Sequence, residues 1–203
     1  MNNASLFMET IHLQQQLKLV STVLDRMQSD HCTLGDAVHN WIELTQAAPL
    51  LPYKGIIEKR YHQCITPAHL VAYQAHPKYK GAQLTQQQED EASDWLNQMN
   101  PDYVPCLLAL AIDDTDVYPK SMLAPNVTEA LTPTKWWRVI KTKSFKSKHI
   151  TEDFCDFMAK ISSLPASSAS IERLFSTFGF VHNKLRNRLG MQKAEKLVKC
   201  HKC

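Results

Sequence analysis

Apolar residues recur every three or four positions along most of this chain, the period of an amphipathic helix. Leu13, Leu17, Val20, Leu24 and Met27 mark the first such face. Thr33 and Asp36 stand at capping-box spacing and open a second helix through Leu34, Val38, Trp41 and Ile42, which Pro49 and Pro52 close. A third helix is predicted from Ile56 to about His62. Thr66 followed by Pro67 reads as an N-cap with proline at the first helical position, starting a fourth helix through Leu70 and Tyr73. Beyond a loop over 75–84, Thr85 and Gln88 repeat the capping pattern. Behind them Ala92, Trp95, Leu96 and Met99 fall at i, i+3, i+4 and i+7. The segment CLLALAI, 106–112, is apolar throughout; it is read as helix, and its period leaves a buried strand open.

From Asp113 to Pro133 the chain carries an acidic cluster and three prolines, and reads as a long connector. After it comes a short helix around Trp136 and Trp137 with a basic tail. Thr151 then caps a helix whose Phe154, Phe157 and Ile161 line one face. A turn around Pro165 follows. Ile171, Leu174, Phe175 and Phe178 define the next helix as a stripe expected to pack inward, and a last helix runs over 191–199 with Ala194, Leu197 and Val198 inward. No internal repeat is evident. The expected fold class is mainly α, in two parts, 1–133 and 134–203.

Charge sharpens that division. Residues 1–133 hold 8 Lys/Arg against 15 Asp/Glu, a net −7, and residues 134–203 hold 15 against 5, a net +10. Such asymmetry points either to a polyanionic partner such as DNA or to a basic face docking on an acidic one within the protein. At 203 residues and 44% hydrophobic the chain can fill a core. No apolar run of about 18 residues occurs, so no membrane partner is expected. The N-terminus has no basic n-region or apolar h-region, so no signal peptide is read there. Cysteines at 32, 64, 106, 155, 200 and 203 are scattered, as suits reduced thiols. Cys200 and Cys203 have CxxC spacing, but a zinc site wants four ligands and no second pair is visible.

The stretch LPASSASIERLFSTFGFVHNKLRNRL, 164–189, contains Ser170-Ile171-Glu172-Arg173-Leu174-Phe175-Ser176 and then Arg186-Asn187-Arg188-Leu189. This ordered pattern resembles the C-terminal signature of hAT-superfamily transposases, with the BED-finger transposase-like members as the nearest likeness. The pair Trp136–Trp137 fits the same family, and Pro77-Lys78-Tyr79-Lys80-Gly81 resembles, more weakly, a loop of its helical insertion. Arg60 followed by Tyr61, and Ala75-His76 before that loop, depart from the pattern.

The resemblance implies a helical insertion-domain remnant followed by the C-terminal helices of an RNase H-like domain. It implies that Glu172 is the third carboxylate of a catalytic triad whose two aspartates precede the insertion. Such a triad holds two divalent ions, Mg or Mn, for phosphodiester transfer. On this reading the chain opens inside the insertion, so Glu172 is a relict and no cofactor is expected for the chain alone. The same likeness implies a dimer interface, assigned to Phe154, Phe157, Ile161, Ile171, Leu174, Phe175, Phe178, Leu197 and Val198. A homodimer, or a dimer with a related transposase, and a nuclear setting follow from the likeness.

Read as residues, Glu172 lies about 100° around the helix from Ile171, at the flank of the apolar stripe. It could face a cleft, or be a surface glutamate paired with Arg173 or a lysine. Asp113, Asp114 and Asp116 read as a solvated acidic turn. Arg173, Lys184, Arg186 and Arg188 could meet DNA phosphates with steep salt dependence, or form a solvated face. Trp136 and Trp137 could stack on an extruded base, but core is the reading for at least one. The function expected is a dimerisation module of hAT-transposase descent, truncated and inactive alone. The alternatives are the C-terminal part of an active DNA transposase and a DNA-binding module using the basic third.

Overall fold

Threonine side chains decide where several helices begin. In the structure, a computed structural model, which describes residues 3–142, 150–169, 171–173 and 175–176, Thr33 Oγ1 accepts from the Asp36 N–H while Asp36 accepts from the Thr33 N–H (3.0 Å). Thr85 and Gln88 form the same reciprocal pair, and Thr66 closes one with His69, whose ring nitrogen takes the acceptor role. Thr151 accepts from the Phe154 N–H. Each pair satisfies backbone donors that the first helical turn leaves open.

In chain order the helices are α1 (Asn3–Met27), α2 (Leu34–Gln46), α3 (Lys54–Cys64), α4 (Pro67–Gln74), α5 (Gln86–Met99), α6 (Tyr103–Ala111), α7 (Lys120–Leu123), α8 (Pro125–Ala130), α9 (Pro133–Thr142) and α10 (Glu152–Ile161). A 3-10 segment, Ala48–Tyr53, links α2 to α3 around Pro49 and Pro52. There is no strand among the described residues; Thr33 and Pro165 form one isolated antiparallel bridge. The fold is mainly α, and CLLALAI lies in and just after helix α6.

Two expectations need correction. The segment 113–133 is folded: it forms α7 and α8, and buries Tyr118 and Met122. The reason is that it carries its own apolar anchors, and the Tyr118 hydroxyl donates to the Cys106 carbonyl (2.8 Å). On α1 the inward side differs from the one the spacing marks. Val23 is buried with Leu44 and Leu50, and Val20 and Met27 pack beside them. Leu13, Leu17 and Leu24 stay exposed. Gln16 helps set this orientation, because its amide donates to the Pro49 carbonyl (2.9 Å) from a buried position.

The main core centres on Trp136, Trp137 and Phe154, each fully buried. The two indoles meet edge to face at 4.9 Å, and Trp137 meets Phe154 the same way at 5.4 Å. Each indole N–H finds a carbonyl: Trp136 donates to Met122 (2.8 Å) and Trp137 to Ala75 (2.9 Å). The core thus takes Leu70, Val71, Ala92, Leu96 and Leu110 from one side of residue 133 and Ile140, Phe154 and Met158 from the other.

α2 lies close on α4. A Cβ at Gly35 would stand 2.9 Å from the Ala72 carbonyl oxygen, which is backbone and cannot swing aside. Gly35→Ala is expected to destabilise the fold by about 1–2 kcal/mol despite its better helix propensity. Urea-midpoint measurements at constant m check it.

Asp36 also anchors a buried ring cluster. It accepts from the Tyr79 hydroxyl (3.3 Å), and His76 Nε2 sits 3.8 Å from it. The Lys78 N–H donates to His76 Nδ1 (3.2 Å), which puts the neutral ring's proton on Nε2, toward Asp36. Burial pushes the His76 pKa down from 6.5 to about 4; Asp36 opposes the shift, and Lys78 and His39 add to it. Below about pH 6.5 the unfolded chain takes up a proton that folded His76 resists. The stability this group confers is therefore complete above that pH and lost as pH falls toward about 4. Urea midpoints are expected to drop over that window, and the drop to flatten in His76→Gln.

Candidate functional site

The segment after α10 does not simply turn. Ser162 caps α10, and residues 164–166 then run beside the α1–α2 turn as a short extended contact. The Leu34 N–H donates to the Leu164 carbonyl (3.0 Å), and the Ala166 N–H donates to the Cys32 carbonyl (2.9 Å). Pro165 lacks an N–H and sits opposite Thr33, where a ladder donor is not called for. Burial raises the Cys32 thiol to about 11, helped by the Asp36 carboxylate. Cys32 is therefore a packed, protonated thiol beneath this contact.

The chain re-enters helix at Ala169. The Ser168 carbonyl accepts from the N–H groups of Ile171 and Glu172, both at 2.9 Å, and the Ser168 hydroxyl donates to Glu172 Oε1 (2.6 Å). The small residues ahead of the glutamate thus do two things: they let the chain lie against the α1–α2 turn, and one of them holds the carboxylate. Glu172 is exposed. Its partner is Ser168 rather than Arg173.

Arg173 reaches across to the N-terminal half. Its guanidinium donates to the Gln28 carbonyl (2.9 Å) and pairs with Asp30 (2.6 Å). One link of the basic C-terminal part to the acidic N-terminal part is therefore made within the chain. Lys184, Arg186 and Arg188 lie outside the described residues, as do Leu174, Phe178, Leu197, Val198, Cys200 and Cys203.

The apolar residues assigned to an interface divide. Phe154 and Ile161 are buried in the chain's own core, and Phe157 is half-buried against Trp95 (6.3 Å) and Tyr103 (5.5 Å). Ile171 and Phe175 do not pack inward as the stripe predicts; they are 51% and 69% exposed. Arg173 explains the difference. By fastening its side of the helix to the α1–α2 turn, it leaves the 171/175 side facing out.

Among the described residues no group of three or more His, Cys, Asp or Glu is placed to hold a metal ion. The described residues therefore do not fit the pair of divalent ions of a carboxylate triad, and no catalytic step is derived from Glu172. Asp113 pairs with Lys80, and Asp114 Oδ1 accepts from the Asp116 N–H (2.9 Å), so this acidic cluster is tied up in a turn. No helix among the described residues is long and apolar enough to cross a membrane.

Sequence reasoning missed Gln28 and Asp30 as the seat of Arg173, because nothing local ties positions more than a hundred residues apart. It could have found the Ser168–Glu172 bond, since four residues apart on a helix is contact distance.

Residues 115–202 match the family model of the hAT family C-terminal dimerisation region. No curated protein and no solved structure matches the chain. The matched stretch shares its core with helices that precede it: Trp137 lies inside the match, and the Ala75 carbonyl it bonds lies outside.

Both partners of the Arg173–Asp30 pair are half exposed, so Arg173→Ala is expected to change global stability by under about 1 kcal/mol. Locally it should release the helix start. Backbone hydrogen exchange over 169–173 is expected to quicken several-fold, with α9 and α10 unaffected, and added salt should reproduce part of the effect.

Proposed function

With residues 115–202 a hAT-family transposase C-terminal region, we propose that this chain serves as a dimerisation module, pairing with a second copy or a related transposase through the helix that follows Ser168. The observation that carries this is the placement of Ile171 and Phe175. They stand one helical turn apart, both exposed, on a helix start held by Arg173 on its other side. An apolar pair presented on an anchored helix is already ordered before it meets a partner, which lowers the entropic cost of association.

Those two side chains do not suffice alone. Burying the exposed parts of both on each copy contributes about 4 kcal/mol, against an association cost of about 4–15 kcal/mol. The proposed surface therefore extends along the chain to Leu174, Phe178, Leu197 and Val198. Phe154 and Ile161 belong to the chain's own core rather than to this surface. On the same reading, α9, α10 and this helix are the closing helices of an RNase H-like transposase domain. Glu172 keeps the place of its third carboxylate, and Arg173 acts in positioning rather than on DNA.

Sedimentation equilibrium of the full chain tests the pairing. A reversible dimer is expected, and Ile171→Asp with Phe175→Asp should weaken it at least tenfold while leaving the circular dichroism spectrum unchanged. A chain that stays monomeric to about 100 µM, or a dimer indifferent to both substitutions, overturns the proposal.

A further inference from the structure

A cleft of about 700 Å³ opens between the end of α4, the loop after it, α5 and the end of α6. Gln74, the last residue of α4, forms part of its wall and is 5% exposed. Its side-chain amide makes no hydrogen bond among the described residues, and the little exposure it keeps opens into the cleft. A buried amide without partners is costly. Its stem is held in place by the loop: a Cβ at Gly81, where φ is +75°, would stand 2.9 Å from Gln74 Cγ, so the glycine makes room for the side chain. Lys80, Gln83 and Asp113 keep left-handed backbone at or beside the same cleft, a conformation that persists for such residues where the surrounding structure demands it.

We propose that this cleft binds a short extended peptide segment of a partner protein, one that carries an apolar side chain next to a lysine or arginine. Three observations select that occupant. The Gln74 amide offers a donor and an acceptor side by side, the complement of a peptide group's C=O and N–H. Leu108 and Ile112, 49% and 76% exposed, supply an apolar wall for a side chain. The rim is acidic. Glu89 and Asp114 are half-buried and have no ion pair among the described residues, although Asp114 holds the Asp116 N–H with one oxygen. The lining cation, Lys80, is already paired with Asp113. An amide can also read the edge of an adenine, but the phosphate of a nucleotide would meet these carboxylates unfavourably, whereas a basic side chain is drawn to them. The site shares no residue with the pairing surface at 171 and 175, so it stands or falls independently of it.

Nuclear magnetic resonance of the full, nitrogen-15-labelled chain tests the assignment, with capped tetrapeptides as probes. Acetyl-Ala-Leu-Arg-Ala-amide is expected to shift the side-chain amide signals of Gln74 and the backbone signals of Leu108 and Ile112, saturating by about 5 mM. Acetyl-Ala-Leu-Glu-Ala-amide should bind about tenfold more weakly, and Glu89→Lys should narrow or reverse that preference. Gln74→Leu is expected to weaken the arginine peptide about tenfold with the circular dichroism spectrum unchanged. Ile112→Ser, at an exposed position, should weaken it too and keeps the test open if the Gln74 variant misfolds. No shift at these signals up to about 5 mM, equal binding of the two peptides, or binding indifferent to both substitutions overturns the proposal. Shifts produced by adenosine monophosphate and not by the arginine peptide overturn it in favour of a nucleotide.

Discussion

The two indole N–H groups at the centre of the core are the constraint on which the rest depends. Trp136 and Trp137 are fully buried, and a buried N–H without an acceptor would be costly. Each is satisfied by a backbone carbonyl far away in the chain, at Met122 and Ala75. The first bond requires the segment before α9 to fold back over it; the second requires the end of α4 to approach α9. Neither helix pair could shift without breaking a bond that water cannot replace. This is why residues 113–133 form short helices with buried anchors instead of a loose link. It is also why the region matching the hAT dimerisation family shares one core with the helices before it.

A second set of contacts ties the motif segment to the opposite end of the molecule. Leu164, Ala166 and Arg173 all bond the stretch from Gln28 to Leu34. The backbone bonds are short-range and specific, and the arginine adds an exposed ion pair of modest strength. Together they orient the helix after Ser168, so that Arg173 faces the α1–α2 turn and the apolar side chains at 171 and 175 face out. The serines of the segment serve this arrangement directly, one as the hydrogen-bond donor to the glutamate.

Among the described residues two apolar helix faces are exposed, one on α1 and one on the helix after Ser168, and they have the same physical origin. In each case a polar side chain decides which flank turns inward. On α1 the buried Gln16 amide bonds Pro49, and the leucine stripe is left beside the core rather than in it. On the final described helix Arg173 does the same for Ile171 and Phe175.

Most of the helices were legible from the chain alone, α7 and α8 excepted. Period, capping threonines and prolines place α2, α4, α5 and α10 close to where they lie, because capping and helical spacing are local properties of neighbouring residues. The motif around Glu172 was legible for the same reason, being contiguous. What periodicity could not convey was which of two adjoining apolar flanks a helix buries. For α1 and the 171–175 helix that choice rests on partners at Pro49, Gln28 and Asp30, remote in sequence. The folding of 113–133, the shared core across residue 133 and the withdrawal of Phe154 and Ile161 from the surface likewise depend on contacts between distant segments. Only the tertiary structure decides them, since long-range bonds and burial leave no trace in local pattern.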